Sequence, residues 1–329
     1  FDRVFDTDFS ADLTIMEEAH EFLHRVKSKG KLPMITSCSP GWIKFIEHNY
    51  PDMLEHLSTC KSPQQMFGAL VKTYYAEKSN IDPAKIVSVS IMPCTAKKYE
   101  AERPEMNASG YRDVDYVLTT RELARMLRSA GINWDALEPE EFDAPLGIST
   151  GAGLIFGATG GVMEAALRTA YEVVTKKELP KLDFSEVRGL TGIKEAEVDL
   201  DGLTIRVAVA HTLANARKVL DAVRRGEAHY DFIEIMACPG GCIGGGGQPR
   251  PVSDEIRQKR IDAIYKGDRD MPLRKSHENP AIKALYEEFL GEPNSHRAHR
   301  LLHTSYTKRN LYPNQSEIDP ELLGVLGAK

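Results

Sequence analysis

Apolar positions along this 329-residue chain alternate between two rhythms, one helical and one of short continuous runs. Between residues 11 and 28, Leu13, Met16, Ala19, Leu23 and Val26 recur at helical spacing, and Gly30 follows as a stop. A short apolar strand over 32–35 runs into Thr36-Ser37-Cys38-Ser39-Pro40-Gly41-Trp42; a helix then reaches about Asn49, where Pro51 breaks it. Leu57 to Gln65 is a loop that opens a helix from Pro63 to Glu77, with Pro63 suited to a first turn. Residues 85–92, rich in Ile and Val, read as a buried strand leading into Pro93-Cys94. Tyr116 to Leu118 is a further strand, and the helix over 121–129 takes Thr120 as its cap and Gly131 as its stop.

The second half is punctuated differently. Residues 132–150 are acidic and irregular, and the glycines of 151–161 flank Phe156 ahead of a helix over 162–176. Their spacing fails the G-x-G-x-x-G pattern and no strand leads into them, so they mark close packing around something bulky rather than a dinucleotide site. Residues 195–200 and 203–210, joined by Asp201-Gly202, form a hairpin; a helix follows over 213–225 and a strand over 232–236. That strand delivers Cys238 and Cys242 and runs into four glycines, Gly244 to Gly247. Beyond Pro249 the chain is charged and helical; His296, His299 and His303 share a face and read as exposed helix histidines, not as a metal site. No tandem repeat is present, and residues past Tyr306 read as a polar tail.

Composition narrows the classes. With 42% hydrophobic and 27% charged residues the chain is an ordinary globular protein, long enough for a large core or two lobes. A net charge of −6 argues against nucleic acid or an anionic membrane as partner, and no apolar run approaches the roughly 18 residues of a membrane span. The chain opens on Phe1 without a signal-like segment and is expected to be part of a longer polypeptide. Five cysteines are too few for a disulfide scaffold and odd in number, which favours metal or catalytic use in a reducing compartment, expected to be cytoplasmic with the periplasm as the alternative.

Three of the apolar strands share one layout, each ending in a cysteine loop: Cys38, Cys94 and Cys238. In α/β sheets, ligands collect at the carboxyl ends of strands. The expected fold is therefore α/β with two lobes, each a small mostly parallel sheet flanked by helices, residues 1–130 and 131–306, and a C-terminal extension over 307–329. The thiols would meet between the lobes around an iron–sulfur group, for which cysteine thiolates are the usual ligands. Glu18, Glu21 and Arg25 fall on one edge of the first helix, and by themselves read as a solvated face with a Glu-to-Arg pair.

Thr36-Ser37-Cys38-x-Pro40-Gly41-Trp42, Met92-Pro93-Cys94-x-x-Lys97-x-x-Glu100 and Met236-Ala237-Cys238-x-Gly240-Gly241-Cys242-x-x-Gly245-Gly246-Gly247-Gln248-Pro249 resemble the three signature motifs of [FeFe]-hydrogenases. The resemblance runs from Phe1 to about Tyr306. It implies an H-cluster: a [4Fe–4S] cube joined through a cysteine sulfur to a diiron unit carrying CO, cyanide and an azadithiolate. It also implies that Cys94 and Cys238 hold the cube, that Cys242 bridges to the diiron unit, and that Lys97 contacts a cyanide. Pro63, Gln64, Met92, Phe156 and Met236 would wall the diiron pocket. The implied activity is the reversible reduction of protons to H₂, with protons passing through Cys38, Glu18, Ser58 and Glu21 and Arg25 near the outer end. This reverses the solvated reading of the first helix.

Two departures from the family pattern stand out. Where the family commonly has a second cysteine after Cys38, this chain has Ser39, which leaves the fourth ligand of the cube between Ser39, Cys38 and Cys60. The front of the family's catalytic domain and its accessory iron–sulfur modules have no counterpart in these residues, so an N-terminal iron–sulfur segment, maturation proteins, and ferredoxin or an NAD(P)H-oxidising subunit are the expected partners. Two alternatives follow: the catalytic subunit of an electron-bifurcating complex, or a hydrogenase-like iron–sulfur assembly protein without a diiron site.

Overall fold

Six short strands frame the molecule, whose computed structural model describes residues 1–310. They are β1 (Met34–Ile35), β2 (Val89–Met92), β3 (Tyr116–Thr119), β4 (Ile193–Asp199), β5 (Thr204–His211) and β6 (Phe232–Met236). One sheet has the order β1-β6-β5-β4, with β1, β6 and β5 parallel and β4 antiparallel at the edge; the other pairs β2 with β3 in parallel. Both are small and mostly parallel, and helices pack around them. The sequence boundary near residue 130 does not separate the sheets, because β1 pairs with β6 from the far half of the chain.

The larger sheet shows why the continuous apolar runs work as strands. Side chains alternate across it with period two. Met34, Val207, Val209, Phe232 and Met236 face one core with Phe22 of the helix Thr7–Ser28 and Met163 of the helix Gly161–Thr175. Ile35, Ala208, Ala210, Ile233 and Ile235 face a second core with Trp42 and Ile46 of the helix Pro40–Asn49 and Leu220 of the helix Leu213–Arg224. The sheet is thus covered on both faces, as parallel sheets require. Phe22 stacks on Phe232 with ring centroids 5.1 Å apart. Glu234, the lone charge in β6, is buried and accepts the N–H groups of Gly160 (2.6 Å) and Met163 (2.8 Å). A carboxylate there satisfies donors that the first turn of a helix leaves unpaired.

Several expectations are corrected. The first helix begins at Thr7, because Asp6 caps it by accepting from the N–H of Asp8. Thr119, not Thr120, caps the helix Thr120–Ser129, in a reciprocal box with Glu122. The expected strand over 85–92 shrinks to β2 and is half-buried, since a two-stranded sheet covers it on one edge only. The glycines near Phe156 pack against backbone: a Cβ at Gly160 would strike the carbonyl of Val187, and one at Gly161 that of Ile155. Residues 307–310 lie by the helix Pro40–Asn49, where Arg309 pairs with buried Glu47 at 3.1 Å; the remainder of the expected extension falls outside the described residues.

The stretch from Ser58 to Gln64 is fixed by a buried ion pair. Lys61 and Asp113 meet at 3.1 Å with side chains 1% and 0% exposed, and the N–H of Lys61 donates to Leu302. Removing one partner of such a pair strands the other charge, at a cost of about 3–5 kcal/mol. Lys61→Met should therefore lower the unfolding free energy by that order in urea titration. Adding Asp113→Leu should restore part of it, although the N–H groups of Ala108 and Ser109 lose their acceptor.

Candidate active site

The carboxyl ends of β1, β2 and β6 open onto one cavity of about 350 Å³. Parallel pairing of β1 and β6 aligns the Cys38 and Cys238 loops. Trp42 donates to the Thr36 carbonyl (3.0 Å), and the N–H of Ala237 donates to Ser39 Oγ (3.3 Å), which joins the first and third motifs. The third motif closes on the second through the N–H of Gly247, which donates to the Pro93 carbonyl at 2.9 Å. A Cβ at Gly245 or Gly247 would collide with Pro93, so only glycine allows that approach. Gly240 and Gly241 take φ of +77° and +95° between the two cysteines, a region glycine occupies without strain.

Cys38, Ser39, Cys94, Cys238 and Cys242 all line the cavity, and so do Pro63, Gln64, Met92, Lys97, Phe156 and Met236. All five cysteines are free thiols. Burial and nearby Cys94 push the Cys242 thiol up to about 12, with Lys97 pulling the other way. Burial raises Cys238 as well, against an N–H from Gly246 directed at its sulfur. These residues fit an iron–sulfur group. Thiols that hold their protons tightly in a dry enclosure give them up to a metal, and the donated N–H and the ammonium of Lys97 suit an anionic cluster. Among the described residues, the donor sets gathered within 4.8 Å for a single ion lie elsewhere, so these sulfurs ring a volume rather than a point.

Lys97 is aimed by a residue whose own role the spacing left open. Its Nζ donates to both oxygens of Glu100 (3.0 and 2.8 Å) and to the Cys38 carbonyl (3.1 Å). Glu100 also accepts from Ser62 (2.7 Å) and Gln64 (3.2 Å). Its place three residues after Lys97 in the second motif was the available signal. His211 went unnoticed. Its Nδ1 accepts from the N–H of Gly240 at 3.3 Å and its Nε2 donates to Leu190 at 3.0 Å, so the ring is neutral and pins the third motif; burial lowers its pKa accordingly. Asp8 also lines the cavity, and burial raises its carboxyl to about 7, with Asp6 and Asp12 adding to the rise.

Behind Cys38 the carboxylates of the first helix are inside the protein, not on a solvated face. Glu18 is 2% exposed, and its charge acts on the Cys38 thiol, whose pKa is raised by burial first and by Glu18 second. Ser58 donates to Glu21 at 2.9 Å, and its hydroxyl also tempers the rise that burial imposes on the Glu18 carboxyl. Glu21 pairs with Arg25 at 2.6 Å, and both side chains retain a small solvent-exposed rim. Cys60, weighed as a ligand, does not line the cavity. It is buried and directs its thiol to Glu21 Oε2 at 3.7 Å, because its backbone is held beside His303. His303, expected on an exposed face, is also buried, between Glu17 and Thr59 at 2.9 and 2.8 Å. His299 is exposed as expected.

The cavity and its thiols define an iron–sulfur protein. Residues 1–246 match the family described as "Iron only hydrogenase large subunit, C-terminal domain", and residues 254–309 match "Iron hydrogenase small subunit". The chain belongs to the iron-only hydrogenase large-subunit family. It is 57% identical over 316 residues to the "NADP-reducing hydrogenase subunit HndD" of Solidesulfovibrio fructosivorans, covering 94% of this chain and 54% of that one. It is 48% identical over 313 residues to "Iron hydrogenase 1" of Clostridium pasteurianum, with the same coverages. An apo form of the [FeFe]-hydrogenase HydA1 from Chlamydomonas reinhardtii superposes with a TM-score of 0.82 at 48% identity, over 94% of this chain and 86% of that one. The chain spans about half the length of the two curated relatives it matches here.

Glu18 generates a prediction. Burial, then repulsion from Glu21, raises its carboxyl to about 8 from an ordinary value of 4.5. The unfolded chain gives up this proton near 4.5 and the folded chain near 8, so the unfolded state binds fewer protons between those values. Stability from this group is therefore fully present below pH 4.5 and is lost as pH rises to about 8. Urea titrations of the metal-free chain at pH 5 and pH 8 should show a smaller drop for Glu18→Gln than for the parent. An equal drop would mean that Glu18 is ionised throughout.

Proposed function

We propose that this chain is the catalytic domain of an [FeFe]-hydrogenase, catalysing 2H⁺ + 2e⁻ ⇌ H₂. The observation that carries the reading is the meeting of three cysteine motifs, Lys97 and Phe156 on one cavity, backed by a hydrogen-bonded series from Ser58 to Arg25. In this reading Cys94, Cys238 and Cys242 hold a [4Fe–4S] cube and its diiron partner with CO, CN⁻ and azadithiolate ligands. When bound, that group supplies the redox centre at which protons and electrons are interconverted with H₂. Ser39 takes the fourth position of the cube: Cys60 does not line the cavity, and Cys38, which does, is used by the proton path.

The protein's own work is to hold, shield and deliver. Lys97, steadied by Glu100, offers its ammonium to a cyanide ligand. Met92, Phe156 and Met236 line the cavity with apolar surface and keep water from the reacting centre. Protons travel from solvent near Arg25 through Glu21, Ser58 and Glu18 to the Cys38 thiol. A protonated Glu18 suits the task, because a relay carboxyl works best with a pKa near the ambient pH. Electrons come from ferredoxin or an NAD(P)H-oxidising partner, and maturation proteins install the diiron unit. Likeness to a subunit of an NADP-reducing hydrogenase supports a second reading, the catalytic part of a multisubunit NAD(P)-linked enzyme. No described helix is long and apolar enough to cross a membrane.

Infrared spectroscopy tests the diiron site, which separates this reading from an iron–sulfur assembly protein. The matured chain should show terminal CO and CN⁻ bands. Cys38→Ala should keep those bands and lose at least about tenfold of its H₂ turnover, in line with loss of a positioned proton donor; intact turnover would remove Cys38 from the path. Ser39→Cys should change the electron paramagnetic resonance of the reduced cube, and an unchanged signal would place the fourth ligand elsewhere.

A further inference from the structure

We propose that Glu21, Cys60 and His303 form a binding site for a divalent transition-metal ion of the Zn²⁺ kind, and that occupancy withdraws Glu21 from proton delivery. Each residue contributes one ligand atom, and these atoms lie within 4.8 Å of one another. The Cys60 sulfur and Glu21 Oε2 are 3.7 Å apart. Zn–S and Zn–O bonds of about 2.3 and 2.1 Å on a tetrahedral centre place such atoms about 3.6 Å apart. One sulfur, one imidazole nitrogen and one carboxylate oxygen make a donor set suited to zinc.

The surroundings are arranged as around a metal-bound histidine. His303 Nε2 contacts Glu17 Oε2 at 2.9 Å, and Glu17 is itself held by the Tyr286 hydroxyl and the N–H of Asn294. A carboxylate on one ring nitrogen is the usual support for a histidine that binds metal through the other. The other, Nδ1, bonds only to the Thr59 hydroxyl among the contacts of the described residues, and that hydroxyl can rotate away. Glu17, Glu18 and Glu21 crowd this spot, with Arg25 paired to Glu21. Binding would release the Cys60 proton to solvent, leaving a thiolate on the metal. Glu21 keeps 11% of its side chain exposed, which gives an ion a way in.

The blocking action rests on Glu21 as a proton station; the site itself does not. Neither Cys60 nor His303 lines the cavity or belongs to the proton series, so both can be changed with the cluster in place. The experiment uses the cluster-loaded enzyme, whose cavity thiols are occupied, with one equivalent of Zn²⁺. Zinc-edge X-ray absorption should show a single sulfur among nitrogen and oxygen ligands. Cys60→Ser and His303→Gln, each with unchanged CO and CN⁻ bands, should bind zinc at least tenfold more weakly. Turnover of the parent should fall with zinc, and Cys60→Ser should resist. Several sulfur ligands, or zinc affinity unaltered in both variants, would overturn the site. Zinc held in the stated coordination with turnover unaffected would overturn the blocking action. If Glu21→Gln by itself leaves turnover intact, the proton-station reading fails instead.

Discussion

The N–H of Gly247 donating to the carbonyl of Pro93 at 2.9 Å holds the second and third cysteine loops together. The cavity depends on that contact, because the two loops belong to different sheets and, among the described residues, no strand pairing links them. Glycine makes it feasible: a side chain at Gly245 or Gly247 would drive the backbones apart and the sulfurs with them. The first loop is joined more conventionally, by the parallel pairing of β1 with β6 and the Ala237–Ser39 hydrogen bond. A site built from backbone contact leaves its side chains free for chemistry, and the cysteines and Lys97 use that freedom.

Two kinds of enclosure surround this junction. On the cavity side, burial raises the Cys242 and Cys238 thiols, which would release their protons on binding a metal. On the far side, acidic groups are buried with only partial compensation, and Glu18 responds by keeping its proton near neutrality. Cys38 lies between them, lining the cavity and feeling the charge of Glu18. In the proposed reading, this separation would let one protein keep its cluster site dry and still pass protons. Cys60 joins the acidic side, with its thiol directed to Glu21 rather than to the cavity.

Much of this was legible in the sequence where the signal is local. Apolar runs ending in cysteine loops identified β1, β2 and β6, and the three-residue spacing from Lys97 to Glu100 was printed in the second motif. The boundaries that failed were set by caps, as at Asp6 and Thr119, which pattern alone ranks poorly. What could not be read was long-range. The solvated reading of Glu18 and Glu21 took no account of the Ser58 loop that covers them. His303 looked exposed on its own helix, yet Glu17, which buries it, lies 286 residues away. The register that gathers the loops depends on β1 pairing with β6 across about 200 residues, and periodicity carries no information about that partner.

The central claim is that Cys94, Cys238 and Cys242 share one iron assembly inside the cavity. Anomalous diffraction at the iron edge, from anaerobic crystals of the fully matured chain, tests it most directly. The account predicts a compact cluster of iron peaks in the cavity, within bonding distance of all three sulfurs. Iron bound elsewhere, or a cavity without iron in crystals of chemically verified full iron content, would contradict it.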